Sequence, residues 1–296
     1  MRNALLVALA FTAIACGKET TSSVGSRACV SVASCQLFDV NVSNCSFGVH
    51  LLGIDYVSNA FKITPEQVTC IAAAGSNCDN ARRCLNNGNA PSSCSGGRLC
   101  EGTTLIMCED NLAAPGTPGT RRFDCASVGL SCIANGNTLD CGTASCSGLN
   151  ASCSGNDLIY CDGSGVQKKY PCGDYKATCI TQGIVPHCRG TGPACSQTSN
   201  NPFNPPTIRC DGTKIVYCVD GQEAYLDCGT YGLGCFSDGD NGYQCAFGAE
   251  CDQGYDATCA ADGKLTFCNG GKVDTFDCKG AGYASCDPDE GGRCVK

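Results

Sequence analysis

One six-cysteine phrase recurs along the chain and constrains it more than any other feature. Its last copy reads Cys251, Cys259, Cys268, Cys278, Cys286 and Cys294. Three earlier copies run Cys94, Cys100, Cys108, Cys125, Cys132, Cys141, then Cys146, Cys153, Cys161, Cys172, Cys179, Cys188, then Cys195, Cys210, Cys218, Cys228, Cys235, Cys245. A fifth set, Cys29, Cys35, Cys45, Cys70, Cys78 and Cys84, precedes them in text of a different character. Together these account for all but one of the 31 cysteines in 296 residues, the exception being Cys16. Cysteine at this density predicts a disulfide framework assembled outside the reducing cytosol. Zinc is the alternative, but its short knuckles need closely spaced thiolates. No Cys-x-x-Cys occurs, and the tightest gap is the four residues between Cys141 and Cys146. The same absence removes a thioredoxin-type redox motif.

The energetics explain the cysteines. A module of roughly fifty residues buries too little apolar surface to offset its chain entropy. Bridges worth roughly 2–4 kcal/mol each supply the difference. Glycine, at 38 residues, points to turns rather than long helices.

The four later copies share a β pattern and occupy residues 91–141, 142–188, 189–245 and 246–296. Before each third cysteine stands a short β-branched or aromatic run, such as Leu158-Ile159-Tyr160 or Ile215-Val216-Tyr217, which predicts a strand. Asp220-Gly221 and Gly270-Gly271 follow as tight hairpin turns. The return strand closes on Phe123-Asp124-Cys125 and its counterparts. Gly129, Gly232 or Gly282 then ends a helical turn, while the second copy has Lys176 there and is expected to bend differently. A final short strand carries the sixth cysteine, so each copy is expected to be a three-stranded β-meander. With Asp220-Gly221 as a two-residue turn, Cys218 pairs with Glu223 and Thr213 with Cys228. Alternation then points Cys218 and Cys228 to opposite faces, so third and fourth cysteines should not bond each other. The second is the nearer candidate for the fourth, and the remaining pairing stays open among the 15 connectivities of six cysteines.

Residues 29–90 read as a helical disulfide module. Thr64-Pro65-Glu66-Gln67 is a capping box with proline at the first helical position, and Ile63 and Val68 form a hydrophobic staple. That helix should end at Gly75, and Ser76 or Asn77 should cap a second from Cys78 to Asn86. Phe47 to Phe61 is apolar enough for a further helix. The fold class is therefore small and disulfide-rich, with one N-terminal helical six-cysteine module followed by four repeated β-meander modules.

Met1-Arg2-Asn3 followed by the apolar run Ala4–Ala15 reads as a signal peptide over residues 1–15, too short to span a bilayer. Ala13-Ile14-Ala15-Cys16 resembles a bacterial lipoprotein signal, although Ala13 stands where that family has leucine. The resemblance implies lipidation of Cys16 and a membrane partner reached through that lipid, at the outer membrane because no aspartate follows the cysteine. Ala13-Ile14-Ala15 also fits ordinary secretory cleavage. Residues 16–28 are polar and aperiodic and read as a flexible lipidated tether.

Several residues are weighed as sites. Met107, Tyr160, Tyr217 and Phe267 precede the third cysteines; packing is the plainer reading, and an exposed row stacking on a glycan or protein ligand the sharper one. Asp238-Gly239-Asp240-Asn241-Gly242 and Asp287-Pro288-Asp289-Glu290 resemble the start of a calcium loop, but Ala249 stands where the closing glutamate belongs, so no metal site is assigned. His50 and His187, the only histidines, lie in different modules. No nucleophile elbow, His-Glu-x-x-His or phosphate-binding loop occurs, so neither an enzyme nor a cofactor is expected. The net charge of −8 argues against a nucleic-acid partner. The loops Ser196–Pro206 and Ala113–Thr120 are the insertions best placed for contact.

Ala13-Ile14-Ala15-Cys16, the phrase Cys70-Ile71-Ala72-Ala73-Ala74-Gly75 through Cys84-Leu85, and the β-modules after it together resemble cysteine-rich surface lipoproteins of myxobacteria and related bacteria. The resemblance implies architecture and carries no assigned activity. The expectation is an exported, lipid-anchored cell-envelope protein acting in adhesion, recognition or envelope structure. The alternative is a secreted, non-enzymatic inhibitor or effector.

Overall fold

The computed structural model describes residues 21–50, 62–136, 138–148, 150–183, 185–196, 208–237, 242–289 and 291–296. Cys16 and the signal peptide, residues 51–61, most of the Ser196–Pro206 loop, Asp238–Asn241 and Glu290 lie outside them. The helical module comprises α1 (Thr21–Ser34), α2 (Val42–His50), α3 (Pro65–Ala74) and α4 (Cys78–Leu85). At α3 the Thr64 side chain accepts from the Gln67 amide and Gln67 Oε1 accepts from the Thr64 amide, the reciprocal capping box expected there. Asn77 caps α4 through the Asn80 amide.

The flexible tether expected over residues 16–28 is corrected from Thr21 onward, where the chain lies in α1; residues 16–20 lie outside the described residues. Ser26 and Ala28 are buried, so residues that look polar and aperiodic form a helix by tertiary packing. The helix ends in a Schellman motif, with Leu37 N–H donating to Val32 O and Gln36 N–H to Ala33 O. Gln36 takes the left-handed conformation (φ 51°) where glycine is usual, which is why the sequence carries no visible stop signal.

Repeat 1 holds β1 (Arg98–Glu101), β2 (Thr104–Ala114) and β3 (Thr117–Asp124) in one antiparallel sheet, then a 3₁₀ turn, then a two-stranded ribbon of β4 (Ser131–Asn135) and β5 (Thr138–Gly142). Repeat 2 repeats this with β6 (Ala151–Ser154), β7 (Asp157–Cys161), β8 (Gln167–Pro171), β9 (Ala177–Ile180) and β10 (His187–Gly190). Repeat 3 has β11 (Arg209–Asp211), β12 (Lys214–Val219), β13 (Gln222–Asp227), β14 (Gly234–Ser237) and β15 (Tyr243–Ala246). Repeat 4 has β16 (Thr258–Cys259), β17 (Leu265–Asn269), β18 (Lys272–Phe276), β19 (Ser285–Asp287) and β20 (Arg293–Val295). Each copy is thus a three-stranded meander as expected, but its third strand runs through the second cysteine, and the sixth belongs to the separate ribbon. The Asp220-Gly221 register is as expected, with Cys218 opposite Glu223.

Among the described residues fifteen disulfides form, and every module uses one connectivity: first to third, second to fifth, fourth to sixth. Third and fourth cysteines do not pair. The expectation that the second bonds the fourth is overturned: Cys100 bonds Cys132, and Cys125 bonds Cys141. The reason lies in the ribbon. Cys132 and Cys141 sit directly opposite each other across it, so both side chains leave the same face, one reaching back to the sheet at Cys100 and the other to the turn at Cys125. Cys179 with Cys188, Cys235 with Cys245 and Cys286 with Cys294 repeat the geometry. The small core lies between ribbon and sheet, as Leu105, Met107, Phe123, Cys125 and Cys141 do in repeat 1.

The turn between sheet and ribbon has a recurrent cap. Asp124, Asp227 and Asp277 each accept from a backbone amide two or three residues on, and Leu130, Leu233 and Tyr283 N–H groups return to the carbonyl of the fourth cysteine. Gly129 and Gly232 close it with left-handed φ of 71° and 73°. Lys176 closes the second copy the same way (φ 49°, ψ 44°), so the different bend expected there is corrected: the ribbon must fold back identically, and lysine takes on the strain.

Successive repeats join by backbone pairing. The chain entering repeats 1, 2 and 3 bridges to the returning strand at Ser93–Gly119, Ser145–Val166 and Ala194–Gln222. Glycines permit the approach: a Cβ on Gly142 would meet Gln167 O and one on Gly190 would meet Gln222 O. Asp140 ties the joint between repeats 1 and 2 by ion pairs to Lys168 at 2.8 Å and Lys62 at 3.0 Å. Burial opposes ionisation of Asp140, but these cations hold its carboxyl below the usual range.

The helical module contacts both ends of the array. One buried cluster joins Val30, Leu37, Ile71 and Leu85 with Leu112 of repeat 1 and with Leu265, Phe267 and Tyr283 of repeat 4. Gly190→Ala should therefore loosen the junction of repeats 2 and 3, lowering stability by about 1–3 kcal/mol in chemical denaturation while leaving all bridges formed.

Candidate functional site

A cleft of about 580 Å³ opens where three distant segments meet: the α1–α2 loop, the bulged part of β2 and the hairpin before the C-terminus. Local chemistry shapes each wall. The Schellman turn at Gln36–Leu37 throws the loop outward, and Asn41 recaptures it by capping α2, its Oδ1 accepting the Asn44 amide at 2.7 Å. On the hairpin the register slips between Glu109 and Ala114, and Asn111 is left-handed (φ 64°). This bulge drives Leu112, fully buried, into the helical core while Glu109, Asp110 and Asn111 face the cleft. Gly291, Gly292 and Arg293 form the third wall; a Cβ on Gly292 would meet the Ala257 carbonyl.

Behind the cleft Arg121 organises the walls. Its side chain is 3% exposed, donates to Glu109 Oε1 at 2.8 Å and to Lys62 O at 3.1 Å, and lies 5.1 Å from the Phe38 ring centre. Burial pulls its guanidinium below its ordinary value, against the pull of Glu109. Arg82 Nε donates to Asn111 O at 3.2 Å, fixing the hairpin to α4.

The exposed row considered for Met107, Tyr160, Tyr217 and Phe267 is corrected. Met107 is 3% and Phe267 1% exposed, and Tyr160 and Tyr217 are half-buried. Register explains it: Met107 and Phe267 share a face with Leu105 and Leu265, the face covered by the ribbon. Tyr217 meets Tyr175 edge-on at 6.4 Å, and burial pushes its hydroxyl up to about 12.

The histidines do not meet. His50 packs edge-on to Phe247 at 4.5 Å and its Nε2 lies 2.9 Å from Asn269 Oδ1, an oxygen that also accepts from Ser46; burial lowers the imidazole's proton affinity. His187 Nε2 lies 3.3 Å from Asp220 across the joint of repeats 2 and 3. Both are joinery. Asp287 accepts from the Asp289 amide in a turn, and among the described residues no group of three His, Cys, Asp or Glu side chains could hold a metal ion. The described helices include none long and apolar enough to cross a membrane.

Sequence reasoning missed the cleft, since Asp39, Asp110 and Arg293 lie in unrelated phrases. Only the Pro- and Gly-rich insertion at Ala113–Thr120 pointed near it. Glu109→Gln should cost about 1–3 kcal/mol in denaturant, because it leaves the buried Arg121 charge without its carboxylate; Asp110→Asn beside it should be neutral within about 0.5 kcal/mol. Comparison of the chain with protein-family models, with curated proteins and with solved structures finds no match.

Proposed function

We propose that the chain is an exported cell-envelope protein, held at the outer membrane by a lipid on Cys16, that acts in adhesion, recognition or envelope structure. The observation that carries this is the complete use of the other cysteines. All from Cys29 onward close inside their own modules, so Cys16 has no partner left among them. Fifteen bridges are consistent with an extracellular or secreted protein. A free thiol at the start of such a chain would be a reactive liability, and a thioether-linked lipid removes it. The reading is non-enzymatic: the bridged cysteines leave no nucleophilic thiol, and both histidines hold module joints together.

Five Cα–Cα steps lead from Cys16 to Thr21, the first described residue of α1, a reach of at most roughly 18 Å. An anchored chain would hold its helical module against the membrane and direct contacts through the repeats and the cleft. Mass spectrometry of the mature N-terminus tests the anchor: diacylglyceryl-Cys16 is the expected product. An unmodified mature terminus would contradict anchoring and favour the released inhibitor or effector.

A further inference from the structure

We infer that the joint between repeats 2 and 3 carries a pH-sensitive clasp, in which the imidazolium of His187 on β10 grips Asp220 at the β12–β13 turn and stiffens the joint on mild acidification. This goes beyond the envelope reading and is independent of the anchor at Cys16.

Geometry selects the charge state that fits. His187 Nδ1 lies 2.9 Å from the Val185 carbonyl oxygen, and Nε2 lies 3.3 Å from Asp220 Oδ2. Both oxygens are acceptors, and a neutral imidazole has a single N–H to give. Only the doubly protonated ring donates on both sides; the neutral ring leaves one nitrogen lone pair facing an oxygen. Histidine is the side chain that ordinarily changes charge between about pH 5 and 8. The clasp is therefore made on the acid side of that window and released on the alkaline side.

Its two ends belong to different modules, and each is held in place. Strand β10 pairs with β9 in the ribbon of repeat 2, where Cys188 is bonded to Cys172. Asp220 has a left-handed φ of 50° and is followed by Gly221 at 74°, the conformation that a two-residue hairpin turn requires. Backbone bonds run beside the clasp: Gly192 N–H donates to Glu223 O, Glu223 N–H to Pro193 O and Cys195 N–H to Gly221 O.

The neighbouring charges set its strength. Arg189, two residues along β10 and on the same face, brings Nε to 3.5 Å from the same Asp220 oxygen. Its guanidinium stays charged at every pH in the window, so Arg189 keeps a constant hold and His187 adds the part that titrates. Repulsion between the two cations keeps that part small. Glu223 on β13 is paired with Arg209 at 3.0 Å, and Lys214 on β12 lies over the Tyr225 ring. Asp174 and Lys176 belong to the 3₁₀ turn of repeat 2 and its cap. Strand β9 and residues 181–186 and 191–207 carry no charged side chain.

Amide hydrogen exchange on the full mature protein with its bridges intact tests this, with rates corrected for the intrinsic effect of pH. From pH 8 to pH 5.5 the Gly192, Cys195 and Glu223 amides should become about two- to fivefold better protected, the range of one half-exposed ion pair. The Thr143, Cys146 and Gln167 amides make the corresponding bonds between repeats 1 and 2, where no histidine stands, and should not change. His187→Gln and Asp220→Asn should each abolish the rise, and asparagine suits the turn as well as aspartate does. The comparison of the two joints in the native protein stands whether or not a variant folds. No rise in the native protein, an equal rise between repeats 1 and 2, or a rise that persists in H187Q or D220N would each overturn the clasp.

Discussion

The structure depends on one arrangement: two cysteines facing each other across a two-stranded ribbon, bonded not to each other but one back to the sheet and the other to the turn that follows the sheet. Cys132 and Cys141 do this in repeat 1, and every later repeat does the same. The two bridges clamp ribbon onto sheet and trap a handful of apolar side chains between them. Hydrophobic burial on that scale, at about 25 cal/mol per Å², does not outweigh the entropy of ordering some fifty residues. Cross-linking the unfolded chain closes the gap. The pairing then dictates the rest of the module: the capped turn that swings the ribbon back, the left-handed residue that ends it, and the buried position of Met107 and Phe267.

Modules held this way are stable units with few contacts to spare, so their mutual arrangement comes from elsewhere. Between successive repeats it is backbone pairing, admitted by glycines at Gly142 and Gly190. At the ends it is the helical module. Leu112 from the first repeat and Phe267 from the last enter one core with α1, α3 and α4, and Arg121 and His50 add buried polar contacts on either side. The cleft is a by-product of that closure, because its walls are the loops left over where three modules meet.

Much of this was legible in the sequence. The six-cysteine phrase announced the modules, Thr64-Pro65-Glu66-Gln67 announced α3, and Asp220-Gly221 set a register that held residue for residue. Those are local signals, each carried by a few neighbouring residues. What escaped notice was set by tertiary contact. Helix α1 has a polar, aperiodic beginning and a glutamine where a glycine stop would be, so only its packing reveals it. Lys176 adopts glycine's conformation because the bridges demand the fold-back. The pairing of second to fifth cysteine depends on the ribbon, whose strands through Cys132 and Cys141 are too short to show a period. The cleft draws on residues far apart in the chain, and no motif links them.

The bridge pattern, on which every module depends, is directly measurable. Proteolysis of the unreduced protein followed by mass spectrometry of the linked peptides should recover Cys100–Cys132 and Cys125–Cys141 in repeat 1, the equivalent pairs in the other three repeats, and Cys35–Cys78 and Cys70–Cys84 in the helical module. Peptides joining Cys100 to Cys125, or cysteines of two different modules, would contradict it.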